Sequence, residues 1–275
     1  MANITAAEVN KLRKMTGAGM MDCKKALVES EGDIEKAIDI LRKKGQKVAN
    51  KRADKEANEG IVLAKATSDG KFGAIIKLSC ETDFVAKNDD FVAFANTVLN
   101  EALKLKPASL EELVNMQVNG NTVEVGVTDL VGKTGEKMEL GSYEFISAGK
   151  VFAYNHMGNK LATLVGMNKD TGSDEGHQIA MQVAAMNPVA LDKESVSQDV
   201  IDKEIEIGKD IARQEGKPEA ILEKIAMGKL NKFFKDNTLM NQDFIRDTKI
   251  TVAQFVKNAD PELKVVEFKR VMLGA

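Results

Sequence analysis

Hydrophobic positions recur at helical spacing through the first 45 residues and give way to hairpin-forming runs soon afterwards. Thr5 and Glu8 stand at capping-box spacing ahead of Val9 and Leu12, which share one helical face and predict a short helix ending near Thr16. The glycine-rich run Thr16-Gly17-Ala18-Gly19 reads as a loop, and Met20 to Glu29 as a second helix with Cys23, Ala26 and Leu27 turned inward. Glu31-Gly32-Asp33 supplies a turn and an N-cap. Ile34, Ala37, Ile38 and Leu41 then form one face of a third helix, closed by Arg42-Lys43-Lys44 and Gly45. The expectation for residues 1–45 is a three-helix bundle. Residues 46–59, mostly Lys, Arg, Asp, Glu, Asn and Ala, read as a partly helical linker on which the bundle can move.

From residue 60 the period changes. Ile61-Val62-Leu63-Ala64 and Phe72 to Leu78 flank Ser68-Asp69-Gly70, a strong hairpin signal. After a polar stretch, Glu81 to Asp90, a helix follows with Phe91, Phe94, Ala95, Val98, Leu99 and Ala102 on its buried face. Pro107 to Met116 looks helical, while Thr122-Val123-Glu124-Val125 and Tyr143 to Ile146 look like strands. The plan then repeats. Lys150 to Tyr154 and Leu161 to Gly166 flank His156-Met157-Gly158-Asn159, and an apolar helix from His177 to Met186 ends at Asn187-Pro188. Two related halves are therefore expected, residues 60–148 and 149–275, in an α+β fold of antiparallel sheets and helices. Into the second is inserted an antiparallel helical hairpin, about 198–235. It turns at Glu215-Gly216-Lys217-Pro218 and pairs Ile201, Ile205, Gly208 and Ile211 with Ile221, Leu222, Ile225 and Leu230.

Composition narrows the function classes. With 43% hydrophobic and 29% charged residues the chain reads as an ordinary globular protein. A formal charge of −3 argues against a whole-protein grip on nucleic acid. The Lys and Arg of the linker are either solvated or reserved for RNA or another partner. No basic start followed by an apolar stretch opens the chain, and no run approaches the roughly 20 apolar residues of a membrane span, so the expected location is cytoplasmic. Cys23 and Cys80 lie far apart without CxxC spacing, and are expected to be reduced thiols. His156 and His177 lack metal-ligand neighbours. Gly132-Lys133-Thr134 resembles the end of a phosphate loop, but five residues separate Gly126 from Gly132 where that motif requires four, so no bound nucleotide is expected. No nucleophile motif marks an enzyme.

Two stretches resemble the elongation factor Ts family closely: Thr16-Gly17-Ala18-Gly19-Met20-Met21-Asp22-Cys23-Lys24-Lys25-Ala26-Leu27 and Cys80-Glu81-Thr82-Asp83-Phe84-Val85-Ala86. The likeness extends through Gly132-Lys133-Thr134-Gly135-Glu136, the Ile179-Ala180-Met181 helix and the helical hairpin. It implies a bundle similar to ubiquitin-associated domains, a two-part α+β core, and a guanine nucleotide exchange factor whose partner is elongation factor Tu. It implies no cofactor and no enzyme chemistry.

The resemblance also assigns residues. Thr82, Asp83, Phe84 and Val85 match the stretch that intrudes beside the partner's Mg²⁺ site. On residue types alone, Asp83 would cap the next turn and Phe84 would fill this protein's own core. Met20 and Met21, supported by Arg13, are expected to face the partner's nucleotide domain, with core filling as the other use of two methionines in a small bundle. The helix carrying His177, Met181 and Gln182 matches a second contact, with Gln182 standing where the family often has histidine. Compared with longer members, the chain is expected to lack a C-terminal helix after Val265 to Met272. The competing reading is an RNA or nascent-chain binder using the bundle and the basic linker.

Overall fold

A computed structural model describes residues 4–274, so Met1 to Asn3 of the expected bundle and Ala275 of the second half lie outside the described residues. The bundle comprises α1 (Ala6–Thr16), α2 (Met20–Glu29) and α3 (Ile34–Lys51). Thr5 and Glu8 form the capping box that opens α1, and Gly17 ends it in the left-handed region at φ 67°. Val9, Leu12, Ala18, Cys23, Ala26, Leu27 and Ala37 make the bundle's own small core.

Here the third helix departs from expectation, because it does not stop at Gly45. It runs on through the first part of the expected linker to Lys51. Gly45 is a contact point: a Cβ there would sit 3.0 Å from the Thr128 carbonyl oxygen and 3.4 Å from the Cα of Gly132. A residue type that usually ends helices serves to let two helices cross closely.

The first sheet is β1 (Glu59–Ala66), β2 (Phe72–Cys80) and β5 (Met138–Ser147), in the order β1-β2-β5. Between β2 and β5 lie α4 (Asp83–Ala86), α5 (Asp89–Leu105), α6 (Leu110–Asn115), the two-residue strands β3 (Gln117–Val118) and β4 (Asn121–Thr122), and α7 (Val123–Thr134). The strand expected at Thr122 to Val125 is instead the start of α7. Thr122 is its N-cap, accepting from the Val125 amide at 3.2 Å. Val123, Leu130 and Val131 face the core, Gly126 lies under Phe94, and Gly132 meets Gly45. Packing on α3 and α5 overrides the β preference of four residues.

The second half comprises β6 (Lys150–Asn155), β7 (Leu161–Met167), α8 (Glu175–Met186), α9 (Gln198–Gln214), α10 (Glu219–Asn237), β8 (Asp243–Phe244), β9 (Asp247–Thr251), α11 (Val252–Ala259) and β10 (Val265–Met272). Its sheet order, β10-β7-β6, matches the first: the second hairpin strand is central and the last strand joins it. The correspondence reaches individual bonds. Each half has a mini-hairpin followed by a threonine-capped helix. The Val123 amide donates to Met116 O and the Val252 amide to Gln242 O, both at 3.0 Å. The α9–α10 hairpin occupies the position that short α6 holds in the first half. Gly208 lies against Ala226 at its centre.

The two sheets pack face to face. Ile75 of β2 and Leu164 of β7 meet in a shared core with Val62, Ala64, Ile146 and Val271. The opposite faces carry the helices: Ala74, Ile76 and Leu78 contact α5 to α7, while Val165 and Met167 contact α8 and α11. Both central strands are buried on two sides, which accounts for their nearly unbroken apolar runs.

Candidate functional site

Strand β2 ends at Cys80, and the chain turns at once into α4, a single helical turn of four residues. Thr82 caps it, its Oγ1 accepting from the Val85 amide at 3.4 Å. Ala86 is buried and Val85 packs against the core, which turns the preceding side chain outward. Phe84 is 83% exposed, so it does not fill this protein's core. Asp83 is ion-paired to Lys87 at 2.7 Å, one helical turn away.

This turn is fastened from behind. The carboxylate of Glu136 accepts from the Thr82 amide at 3.0 Å and from Thr82 Oγ1 at 2.7 Å. Neighbouring Glu81 accepts from Arg52 Nη1 at 2.6 Å and from the Lys137 amide at 2.5 Å. Lys137 Nζ in turn donates to the carbonyls of Ala53 and Lys55 just after α3. Burial would push the Glu81 carboxyl up, but the Lys137 amide and the Arg52 guanidinium outweigh it and hold the group below its usual range. Cys80 is the reverse case. Burial pushes its thiol up to about 12, and the protonated sulfur donates to Thr82 O at 3.1 Å. Arg52 and Lys137 were not among the residues singled out from the sequence, and Glu81 and Glu136 stood there only within stretches that carry the resemblance, without a role. Their signal is that a four-residue helix cannot hold itself.

Gly132-Lys133-Thr134 forms the C-terminal end of α7, with Gly135 as its left-handed cap. A phosphate loop uses the amide end of a helix, whereas this end presents carbonyls. Lys133 lies across Gly17, where a Cβ would stand 2.6 Å from Lys133 Cε, so this segment also touches the bundle. A recess between bundle and core is lined by Met15, Ala18, Leu41, Arg42, Asp129 and Lys133. Burial raises the Asp129 carboxyl there, against the pull of Arg42 and Lys133.

On the bundle, Met20 and Met21 are 54% and 63% exposed, and Arg13 is exposed as well. The two methionines are therefore not core residues. On α8, His177 and Met181 are half-buried, with the His177 ring edge-on to Tyr154 at 5.7 Å. Tyr154 Oη lies 2.9 Å from His156 Nδ1, and Met157 at the hairpin tip is 90% exposed. Gln182 requires a correction. It is 0% exposed and cannot touch a partner in this conformation. Its Nε2 donates to Gln242 Oε1 and Asp243 O, both at 3.1 Å, and its Oε1 accepts from the Ile245 amide at 2.8 Å. It fastens α8 to the β8–β9 hairpin. Residues expected to act together thus sit on three separate elements: α4, the bundle and α8.

Among the described residues no group of three or more His, Cys, Asp or Glu is placed to hold a metal ion. No helix among them is long and apolar enough to cross a membrane.

Residues 81–275 match the family model described as Elongation factor TS. The chain is 55% identical to Elongation factor Ts of Christiangramia forsetii, over the whole of both chains. It is 52% identical to Elongation factor Ts of Flavobacterium psychrophilum, again over the whole of both. With Elongation factor Ts of Porphyromonas gingivalis it shares 50% identity over 99% of each chain.

Proposed function

The chain belongs to the elongation factor Ts family, and on that footing we propose that it is the guanine nucleotide exchange factor of translation elongation. In this reading it binds elongation factor Tu and speeds the loss of GDP. The observation that carries the reading is Phe84, an aromatic ring 83% exposed on a turn that is otherwise anchored. A ring in that position gains nothing from its own fold and is available to a partner.

The mechanism is differential binding. A GTPase holds GDP through phosphate contacts and a Mg²⁺ ion. A factor that prefers the nucleotide-free form weakens nucleotide binding by the same factor that nucleotide weakens its own. Phe84 enters the partner beside the Mg²⁺ site, and burying the ring there yields roughly 1.5 to 3 kcal/mol. Asp83 travels with it and brings negative charge towards the metal's ligands. Its pair with Lys87 is exposed, so it is surrendered at little cost. Thr82 and Val85 are the two ends of the anchored turn.

Arg13, Met20 and Met21 add a contact from the bundle, where exposed methionine gives an adaptable apolar surface. His177 and Met181 add another from α8, against a different part of the partner. Gln182 acts behind them by fixing the helix. The protein works by binding alone in the cytoplasm, with no cofactor, no nucleotide of its own and no nucleic acid or membrane contact.

The test is release of fluorescent GDP from elongation factor Tu at fixed Mg²⁺. Acceleration that saturates with this protein, and equal weakening of the protein complex by added GDP, is the expected result. An unchanged release rate would remove the reading.

A further inference from the structure

The segments 81–82 and 136–137 are bound to each other by a reciprocal arrangement. The Glu81 carboxylate accepts the amide of Lys137, the residue after Glu136. The Glu136 carboxylate accepts the amide of Thr82, the residue after Glu81. This clasp begins where the β2–β5 ladder ends, at the pair Cys80 and Met138. It carries the attachment of the two strands one step further by side chains rather than by backbone.

The clasp has a specific load. Helix α4 is one turn long, and an isolated turn of that length has no stability of its own. Its N-cap bond, Thr82 Oγ1 to the Val85 amide, is long at 3.4 Å. Phe84, largely exposed, contributes little packing. Ala86 and Val85 hold the far end of the turn, and Glu136 is the group that fixes its near end by two bonds to one residue. Gly135 closes α7 in the left-handed region, and the Glu136 amide donates to Thr134 Oγ1 at 3.2 Å, so the backbone that carries the carboxylate is itself held in place.

We propose that Glu136 is a positioning residue for exchange, which, as one half of the Glu81–Glu136 clasp, holds the Phe84 turn in the orientation that the partner receives. The inference rests on the role given to Phe84 above. Without the clasp the ring remains exposed but samples many directions, and ordering it then falls on the binding step.

The experiment compares GDP release from elongation factor Tu with the wild type, Glu136→Ala, Glu136→Gln, Phe84→Ala and the double variant Glu136→Ala/Phe84→Ala. Glu136→Ala is expected to lower the second-order rate of stimulated release by about tenfold, the order expected when one side chain must be ordered on binding. Glu136→Gln, which keeps one acceptor oxygen, should fall between it and the wild type. In the Phe84→Ala background, Glu136→Ala should change the rate by less than about twofold, because the two act through one element. Amide exchange of Thr82 to Ala86 should rise in Glu136→Ala while that of α5 stays unchanged.

If Glu136→Ala stimulates as fast as wild type, or costs a full tenfold even without Phe84, the inference is overturned. A wild type that does not stimulate at all sinks the functional reading, and this inference with it. An active wild type with an equally active Glu136→Ala sinks this inference alone.

Discussion

Side chains of one residue type divide here by what surrounds them. Gln182 is an amide read from the sequence as a surface contact, yet all its bonds go inward, to Gln242, Asp243 and Ile245. Replacing it with leucine orphans two acceptors and one donor, and each buried orphan costs about 1 to 3 kcal/mol. The expected loss for Gln182→Leu is about 3 kcal/mol in denaturant unfolding, and a loss below about 1 kcal/mol would contradict the burial argument. Glu81 gives a pH prediction. Its folded value is depressed, so its contribution is full above the unfolded value of about 4.3 and is lost as pH falls through the lower folded value. Protection of the Lys137 amide should therefore decline on acidification below that range, and Glu81→Gln should flatten the decline. Phe84 could not be placed from residue type alone, because a phenylalanine is more often core than surface. Its exposure follows from Ala86 and Val85 taking the inward positions of a four-residue turn.

Elements with strong caps and periodicity were legible in the sequence. Thr5 with Glu8 predicts α1, Asp33 predicts the start of α3, and the Asp69-Gly70 turn predicts the first hairpin. The failures share a cause. Gly45 reads as a helix end, and Gly126 and Gly132 enter only as the spacing of a phosphate loop, while each is a place where one element approaches another. A sequence shows that a glycine is present but not what lies above it. The α3–α7 crossing yields a test. A valine at position 45 would drive its side chain into the backbone of Thr128 and Gly132, and overpacking of this kind costs about 1 to 3 kcal/mol. Gly45→Val should accordingly become less stable and expose the bundle to limited proteolysis before the sheets. Equal or greater resistance would show that the crossing does not hold the bundle.

For the molecule as a whole, there are two three-stranded sheets of like strand order, and in each a helix, a mini-hairpin and a threonine-capped helix lie between the second hairpin strand and the last strand. The sequence hinted at this through two hairpin-then-helix runs, but the mini-hairpins are too short to leave a pattern. The candidate site was legible only in part. Its outward residue, Phe84, belongs to a contiguous motif. The groups that hold that motif, Glu136, Lys137 and Arg52, come from distant segments that only the fold brings together. The core carries a rigid turn, the bundle is docked on it through α3 and α7, and α8 is fixed from behind by Gln182. Three outward surfaces are thereby held on one frame.

The most direct test of this account is stopped-flow release of fluorescent GDP from elongation factor Tu by the Phe84→Ala variant. Because Phe84 is 83% exposed, the variant should unfold within about 0.5 kcal/mol of wild type. Its stimulated release should nevertheless fall by about tenfold to a hundredfold, matching the burial of one aromatic ring. A stable variant that still accelerates release at the wild-type rate would contradict the claim that this ring drives exchange.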